Sequence, residues 1–195
     1  MPNYKVLQNS TLDAQVRLQR PQQHLPESVT LDSPAMDVMT DLTKVAAMTV
    51  TPNATLDEAE QHMIAGGVRL LFVVNQNDQV VGIITSRDLD GDRVMRRLAG
   101  TGDRRQDLTV REIMTAQHQV EVLEIGDVAT SRVGDLVETL KQLGRQHALV
   151  VERDRAGTQS IRGVLSTTQI GKQLGTDIDT SERVGNFAGL AAIKG

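Results

Sequence analysis

The sequence predicts an α+β fold in which one unit is used twice: two repeats, each a small three-stranded sheet with two packing helices, related by pseudo-twofold symmetry. Two observations predict it. Residues 54–74 (ATLDEAEQHMIAGGVRLLFVV) and 131–151 (SRVGDLVETLKQLGRQHALVV) share one order of helix, glycine and strand. A glycine-led strand that runs into a helix start, Gly82-Ile83-Ile84-Thr85-Ser86-Arg87-Asp88, recurs in altered form as Gly163-Val164-Leu165-Ser166-Thr167-Thr168-Gln169. A unit of this size buries little by itself, so the two are expected to pack together.

The elements follow in order. Residues 1–30 show no strong periodicity and read as an N-terminal extension that packs weakly or is mobile. Repeat one, 31–99, opens on the lead-in Val38-Met39-Thr40 and an extended stretch near 47–51. Leu56, Ala59 and Met63 then recur at helical spacing, and Gly66-Gly67 suits a left-handed cap. Apolar strands over 70–74 and 80–85 flank a short polar loop, and a closing helix runs through Asp88, Leu89, Val94, Met95 and Leu98. The polar stretch 100–107 (GTGDRRQD) reads as a linker. Repeat two, 108–175, repeats the plan. It has the lead-in Ile113-Met114-Thr115, an extended stretch over 120–123, and a helix marked by Val133, Leu136, Val137, Leu140 and Leu143 that ends at Gly144. Strands over 148–151 and 161–166 and a short helix around Gln169, Ile170 and Leu174 complete it. Residues 176–195 are small and polar and read as a tail.

Composition excludes several classes of function. Net charge is −4 over 195 residues, so no basic bias points to nucleic acid. Aromatic residues are 2%, too few for stacking platforms. With no cysteine, disulfides, thiolate catalysis and cysteine-ligated metals are ruled out. His24, His62, His118 and His147 show no paired metal spacing. Met1-Pro2-Asn3-Tyr4-Lys5 lacks a signal pattern, and no apolar run approaches the roughly 20 residues of a membrane span. The expectation is a cytoplasmic protein without membrane insertion. No phosphate-binding lysine loop, nucleophile elbow or nucleophile–base pair is present, so an enzyme is not expected.

The chemistry centres on Thr85 and Asp88, three apart at a helix start. Unpaired N–H groups and the positive dipole end favour phosphate there, and a first-turn carboxylate can accept two ribose hydroxyls. The same spacing also describes a capping box, and Ser166-x-x-Gln169 fits that reading equally well. Taken alone, Arg69 and Arg87 read as solvated arginines and His147 as a half-buried polar residue. Arg96-Arg97 and Arg104-Arg105 read as solvated charges or as salt-bridge donors to a partner.

With these residues in view, the chain resembles the tandem CBS-domain (cystathionine-β-synthase domain, Bateman module) family. The carriers are Met39-Thr40, the Thr55–Ala59 helix start, Gly67-Val68-Arg69, the 82–88 motif, and in the second copy Ile113-Met114-Thr115, His147 and the 163–169 motif. The resemblance covers about residues 31–175 and implies a regulatory module that binds AMP, ADP or ATP between the repeats. S-adenosylmethionine is a further ligand it allows. It also implies a homodimer, a regulated protein partner, and no required cofactor. Asp88 would accept the ribose hydroxyls, Thr85 would approach ribose or phosphate, Arg87 and Arg69 would meet phosphate, and Ser86 would be a further ligand-binding residue. Adenine would lie near the stretch after Met39-Thr40. A weaker second site would use Ser166, Gln169 and His147, because Gln169 stands where the family has Asp and brings no charge. The alternative expectation is a dimerisation scaffold with vestigial sites.

Overall fold

Alternation along the strands decides the architecture. A computed structural model describes residues 5–19, 21–102 and 104–180. The calls on Met1–Tyr4, on Asp103 of the linker and on 181–195 of the tail lie outside them. Lead-in strand β1 (Thr40–Asp41) is followed by β2 (Thr49–Val50), α1 (Leu56–Gly66), β3 (Leu70–Val74) and β4 (Val80–Thr85). Next come α2 (Ser86–Leu89), α3 (Asp92–Thr101), α4 (Val110–Ile113) and β5 (Thr115–Ala116). The second half has β6 (Val122–Glu124), α5 (Ile125–Thr130), α6 (Val133–Leu143), β7 (His147–Arg153), β8 (Gln159–Ser166) and α7 (Thr167–Leu174).

On β3 and β4, Leu71, Val73 and Ile84 face α1 and the first helical core, while Leu70, Phe72 and Ile83 face the opposite way. On β7 and β8, Ala148, Val150 and Leu165 face the second helical core, and Leu149 meets Phe72 in a shared layer between the sheets. The strands are therefore apolar on both faces, and the layers run helices, sheet, sheet, helices. The expected packing of the two units is this shared layer.

Each sheet has four strands rather than the three expected. The orders are β2-β3-β4-β5 and β6-β7-β8-β1, the same order once equivalent strands are matched. The fourth strand comes from the other repeat. β1 pairs antiparallel with β8, Thr40 opposite Val164, and β5 pairs antiparallel with β4, Ala116 opposite Gly82. The segments before these strands cross as well. Ala35, Val38 and Met39 are buried in the second core, and Leu108, Val110 and Ile113 in the first. Backbone bonds fix the exchange: Val133 N–H donates to the Ser33 carbonyl, and Val110 N–H to that of Ala54. A part-buried ion pair reinforces it, with Arg162 Nη1 2.9 Å from Asp41 Oδ1. Burial works against the Asp41 charge, but bonds from Thr43 and the Arg162 guanidinium outweigh it and hold the carboxyl below its ordinary range.

Glycine makes the crossing possible. A Cβ on Gly163 would lie 2.7 Å from Met39 Sδ and 2.8 Å from the Thr40 carbonyl oxygen, and one on Gly82 would lie 2.6 Å from that of Thr115. The helix stops are as expected: Gly67 and Gly144 both take φ of 62° and close α1 and α6. Three segments differ from the sequence reading. The closing helix of repeat one is two helices, broken at Gly91, whose extended backbone starts α3. Helix α5 is an addition in the second half. Residues 176–180 fold back, with Thr180 buried and Ile178 against the second core.

Replacing Gly163 with Ala is expected to cost about 1–3 kcal/mol, because the carbonyl it meets belongs to a paired strand. A thermal melt followed by circular dichroism should show Tm lowered by several degrees; an unchanged Tm would mean that β1 does not rest on this glycine.

Candidate functional site

The first cleft begins with a helix cap. Thr85 takes extended backbone at the end of β4, and its N–H and hydroxyl both donate to Asp88 Oδ2, at 2.9 and 2.7 Å. Asp88 N–H closes the box on Thr85 Oγ1 at 3.4 Å. One carboxylate oxygen is thus committed to the cap. Oδ1 has no hydrogen-bond partner among the described residues, and Asp88 lines a cleft of about 490 Å³. Capping and ligand contact are compatible, because they use different oxygens of one side chain.

Three distant stretches meet around this carboxylate: Thr85, Arg87 and Asp88; Thr115 and Gln119; and Arg145, Gln146 and His147, with Arg93 beside them. Arg93 Nη1 donates to the Ile113 carbonyl at 3.2 Å and to Thr115 Oγ1 at 3.2 Å, which holds β5 against the first repeat. Arg145 reaches Glu121 at 3.1 Å. The cleft therefore carries one carboxylate and three guanidinium groups, two of them tethered.

His147 is half-buried at the start of β7. Desolvation, then the charges of Arg69 and Arg87, push its pKa down to about 4, against the opposing pull of Asp88. The imidazole is neutral at physiological pH.

The structure brings Thr85, Arg87, Asp88 and His147 together, so His147 belongs to the first cleft rather than to the second. Met39 and Thr40 do not join them. They sit on β1, beside Gly163 and Val164 of the second sheet, because the lead-ins cross. Thr115 takes the place in the first cleft that Thr40 was expected to take. Arg69 and Ser86 are not part of the cleft lining. The Arg69 carbonyl accepts from Ser86 N–H at 3.0 Å, and its guanidinium acts on His147 through charge. At the second helix start, Ser166 makes no side-chain cap bond, so that half of the capping expectation fails. Gln169 turns away instead, its Nε2 donating to Gln173 Oε1 at 3.0 Å.

Sequence reasoning missed Arg93, Thr115, Gln119 and Arg145. Thr115 was within reach, since it occupies in copy two the position of Thr40 in copy one; the others carried no repeat signal. Three of the four arginines flanking the linker form ion pairs within the chain. Arg97 pairs with Glu112 at 2.7 Å, Arg104 with Asp107 at 3.1 Å, and Arg105 reaches Glu60 at 3.4 Å and the Leu89 carbonyl at 2.6 Å. Among the described residues no group of three or more acidic or imidazole side chains is placed to hold a metal. No described helix is long and apolar enough to cross a membrane.

Comparison with known proteins agrees with the resemblance. The family model of the CBS domain matches residues 28–90. An uncharacterized conserved protein from Pyrococcus horikoshii shares the fold, with a TM-score of 0.51 and 22% identity over 73% of this chain and 92% of that one. Also similar are CBSX2 in complex with AMP (TM-score 0.47, 20% identity, 71% and 93% covered) and the CBS domain pair of MJ0100 in complex with 5′-methylthioadenosine and S-adenosyl-L-methionine (0.49, 19%, 73% and 96%). No curated protein matches.

The His147 environment predicts an acid-sensitive fold. Its folded pKa near 4 lies below the unfolded value of about 6.5, so its contribution is complete above 6.5 and is lost as pH falls toward 4. His147→Gln should flatten the fall in Tm between pH 7 and pH 5. An equal fall in both proteins would show that His147 is not the group responsible.

Proposed function

We propose that this chain, with the CBS-domain match of its first half, is a regulatory module that binds an adenosine nucleotide in the first cleft. One observation carries the reading. Asp88 spends Oδ2 on the helix cap and keeps Oδ1 unbonded among the described residues, in a cleft that also holds Arg87, Arg93 and Arg145. A carboxylate oxygen suits the vicinal hydroxyls of a ribose, and guanidinium groups suit phosphate. AMP, ADP and ATP all offer that pair of features; S-adenosylmethionine offers the ribose but no phosphate. Regulation follows if the nucleotide favours one arrangement of the two sheets over another. The readout is a protein partner or the module's own assembly as a homodimer.

A second reading, a scaffold with vestigial sites, is favoured by one observation: Gln169, at the position equivalent to Asp88, is bonded to Gln173.

A thermal-shift titration with AMP, ADP, ATP and S-adenosylmethionine separates the two. Ligand at 100 times its Kd adds about 2.7 kcal/mol, or roughly 5–10 °C for a domain of this size. Asp88→Asn, which keeps a side-chain acceptor for the cap but removes the charge, is expected to weaken binding about ten-fold or more. No shift with any of the four ligands in the folded wild type favours the scaffold.

A further inference from the structure

The N-terminal extension is not loose where it meets the second repeat. The Gln23 side chain lies along the open edge of β1, with Nε2 donating to the Met39 carbonyl at 2.9 Å and Oε1 accepting from Asp41 N–H at 2.7 Å. These backbone groups point away from β8. Leu42 N–H donates to the Arg162 carbonyl, so in this antiparallel pair the groups of residues 39 and 41 alternate outward. Gln173, which is buried, pins the same segment. Its Nε2 donates to the Pro26 carbonyl at 2.7 Å and to that of Asp37 at 3.0 Å, and its carbonyl accepts from Val29 N–H at 2.9 Å.

The pattern at Gln23 is chemically specific. A carboxamide presents one donor and one acceptor side by side in a plane, as the edge of adenine does. A strand edge that offers a carbonyl and an N–H two residues apart accepts either group. The equivalent edge of β5, at Met114 and Ala116, has no side-chain amide across it among the described residues; there the Met114 carbonyl meets Arg93 at 3.4 Å. Gln23 and Pro26 also precede the stretch that the CBS-domain model matches.

We propose that Gln23 stands in for a ligand at the second site, on the β1 edge. Residues 23–30 form a strap over the edge that an adenine would use there, and they confine nucleotide to the first cleft. The inference rests on the nucleotide reading above and adds to it a self-occluded second site. Opening that site requires only that Gln23 leave its two backbone partners, so any event that pulls on the N-terminal segment changes the number of nucleotides bound.

The test is isothermal titration of the full chain with AMP, in four forms: wild type, Gln23→Ala, Asp88→Ala and the double variant. Wild type is expected to bind one AMP per chain and Gln23→Ala two, the second more weakly because Gln169 brings no charge. The double variant should bind one AMP about ten-fold or more tightly than any residual binding by Asp88→Ala. If Gln23→Ala does not fold, Gln23→Glu keeps the size and the acceptor but has no donor for the Met39 carbonyl, and should also expose the second site. One AMP per chain in both wild type and the Gln23 variants overturns the strap and leaves the first cleft standing. Two per wild-type chain does the same. Absence of binding in every form overturns both readings.

Discussion

Each sheet is completed by a strand that belongs, in sequence, to the other repeat, and everything else in the molecule depends on that exchange. Neither repeat has a closed core without the other's lead-in: Met39 and Val38 fill the second, Ile113 and Val110 the first. The exchange is possible only where a side chain is missing. At Gly82 and Gly163 the incoming carbonyl sits at a distance that no Cβ tolerates. The glycine that opens each repeated motif is therefore a docking point for the partner repeat. The Asp41–Arg162 pair then adds charge to a crossing that packing has already fixed.

The exchange also builds the first cleft. Because β5 comes from the second repeat and lies on β4, Thr115 stands beside Thr85 and Asp88, and Arg93 can hold it there. The shared apolar layer brings the start of β7 to the same place. Within the cleft the charges have separate tasks. Asp88 is oriented by its own cap, which fixes its rotamer before any ligand arrives. Burial and neighbouring arginines keep His147 neutral, so it adds no further positive charge to a site already rich in guanidinium.

What could be read in the sequence was local. The glycine stops at Gly67 and Gly144, the strands, and the pairing of Thr85 with Asp88 all follow from short-range pattern, and all appear in the structure. The exchange could not be read this way. A repeated motif shows that lead-in and strand belong together, but both copies carry the same signal, so nothing local says which lead-in docks on which sheet. That one ambiguity explains why Met39 and Thr40 were expected beside Asp88, and His147 away from it. Helix α5 and the break at Gly91 lie where the copies differ, so the repeat gave no template for them. Gln23 and Gln173 act through side-chain amides over separations of 16 and 147 residues, with no periodic signal at either end.

The two clefts, built on one plan, have diverged in opposite directions. In the first, the helix-start carboxylate keeps an oxygen unbonded among the described residues and shares its cleft with Arg87, Arg93 and Arg145. In the second, Ser166 makes no cap bond, and three polar groups bond within the chain: Gln169 to Gln173, Gln173 to Pro26 and Asp37, and the β1 edge to Gln23. A buried polar group left unpaired costs on the order of 1–3 kcal/mol, so a cleft that has lost its charged anchor gains stability by filling itself. No side-chain polar atom among the described residues is buried without a partner. On this argument Gln169 and Gln23 act together. With no carboxylate at the second helix start to hold a ribose, an amide from the same chain would compete with adenine at no cost in translational freedom. Two sites built on one plan would then differ, one an open cleft and one closed by its own chain.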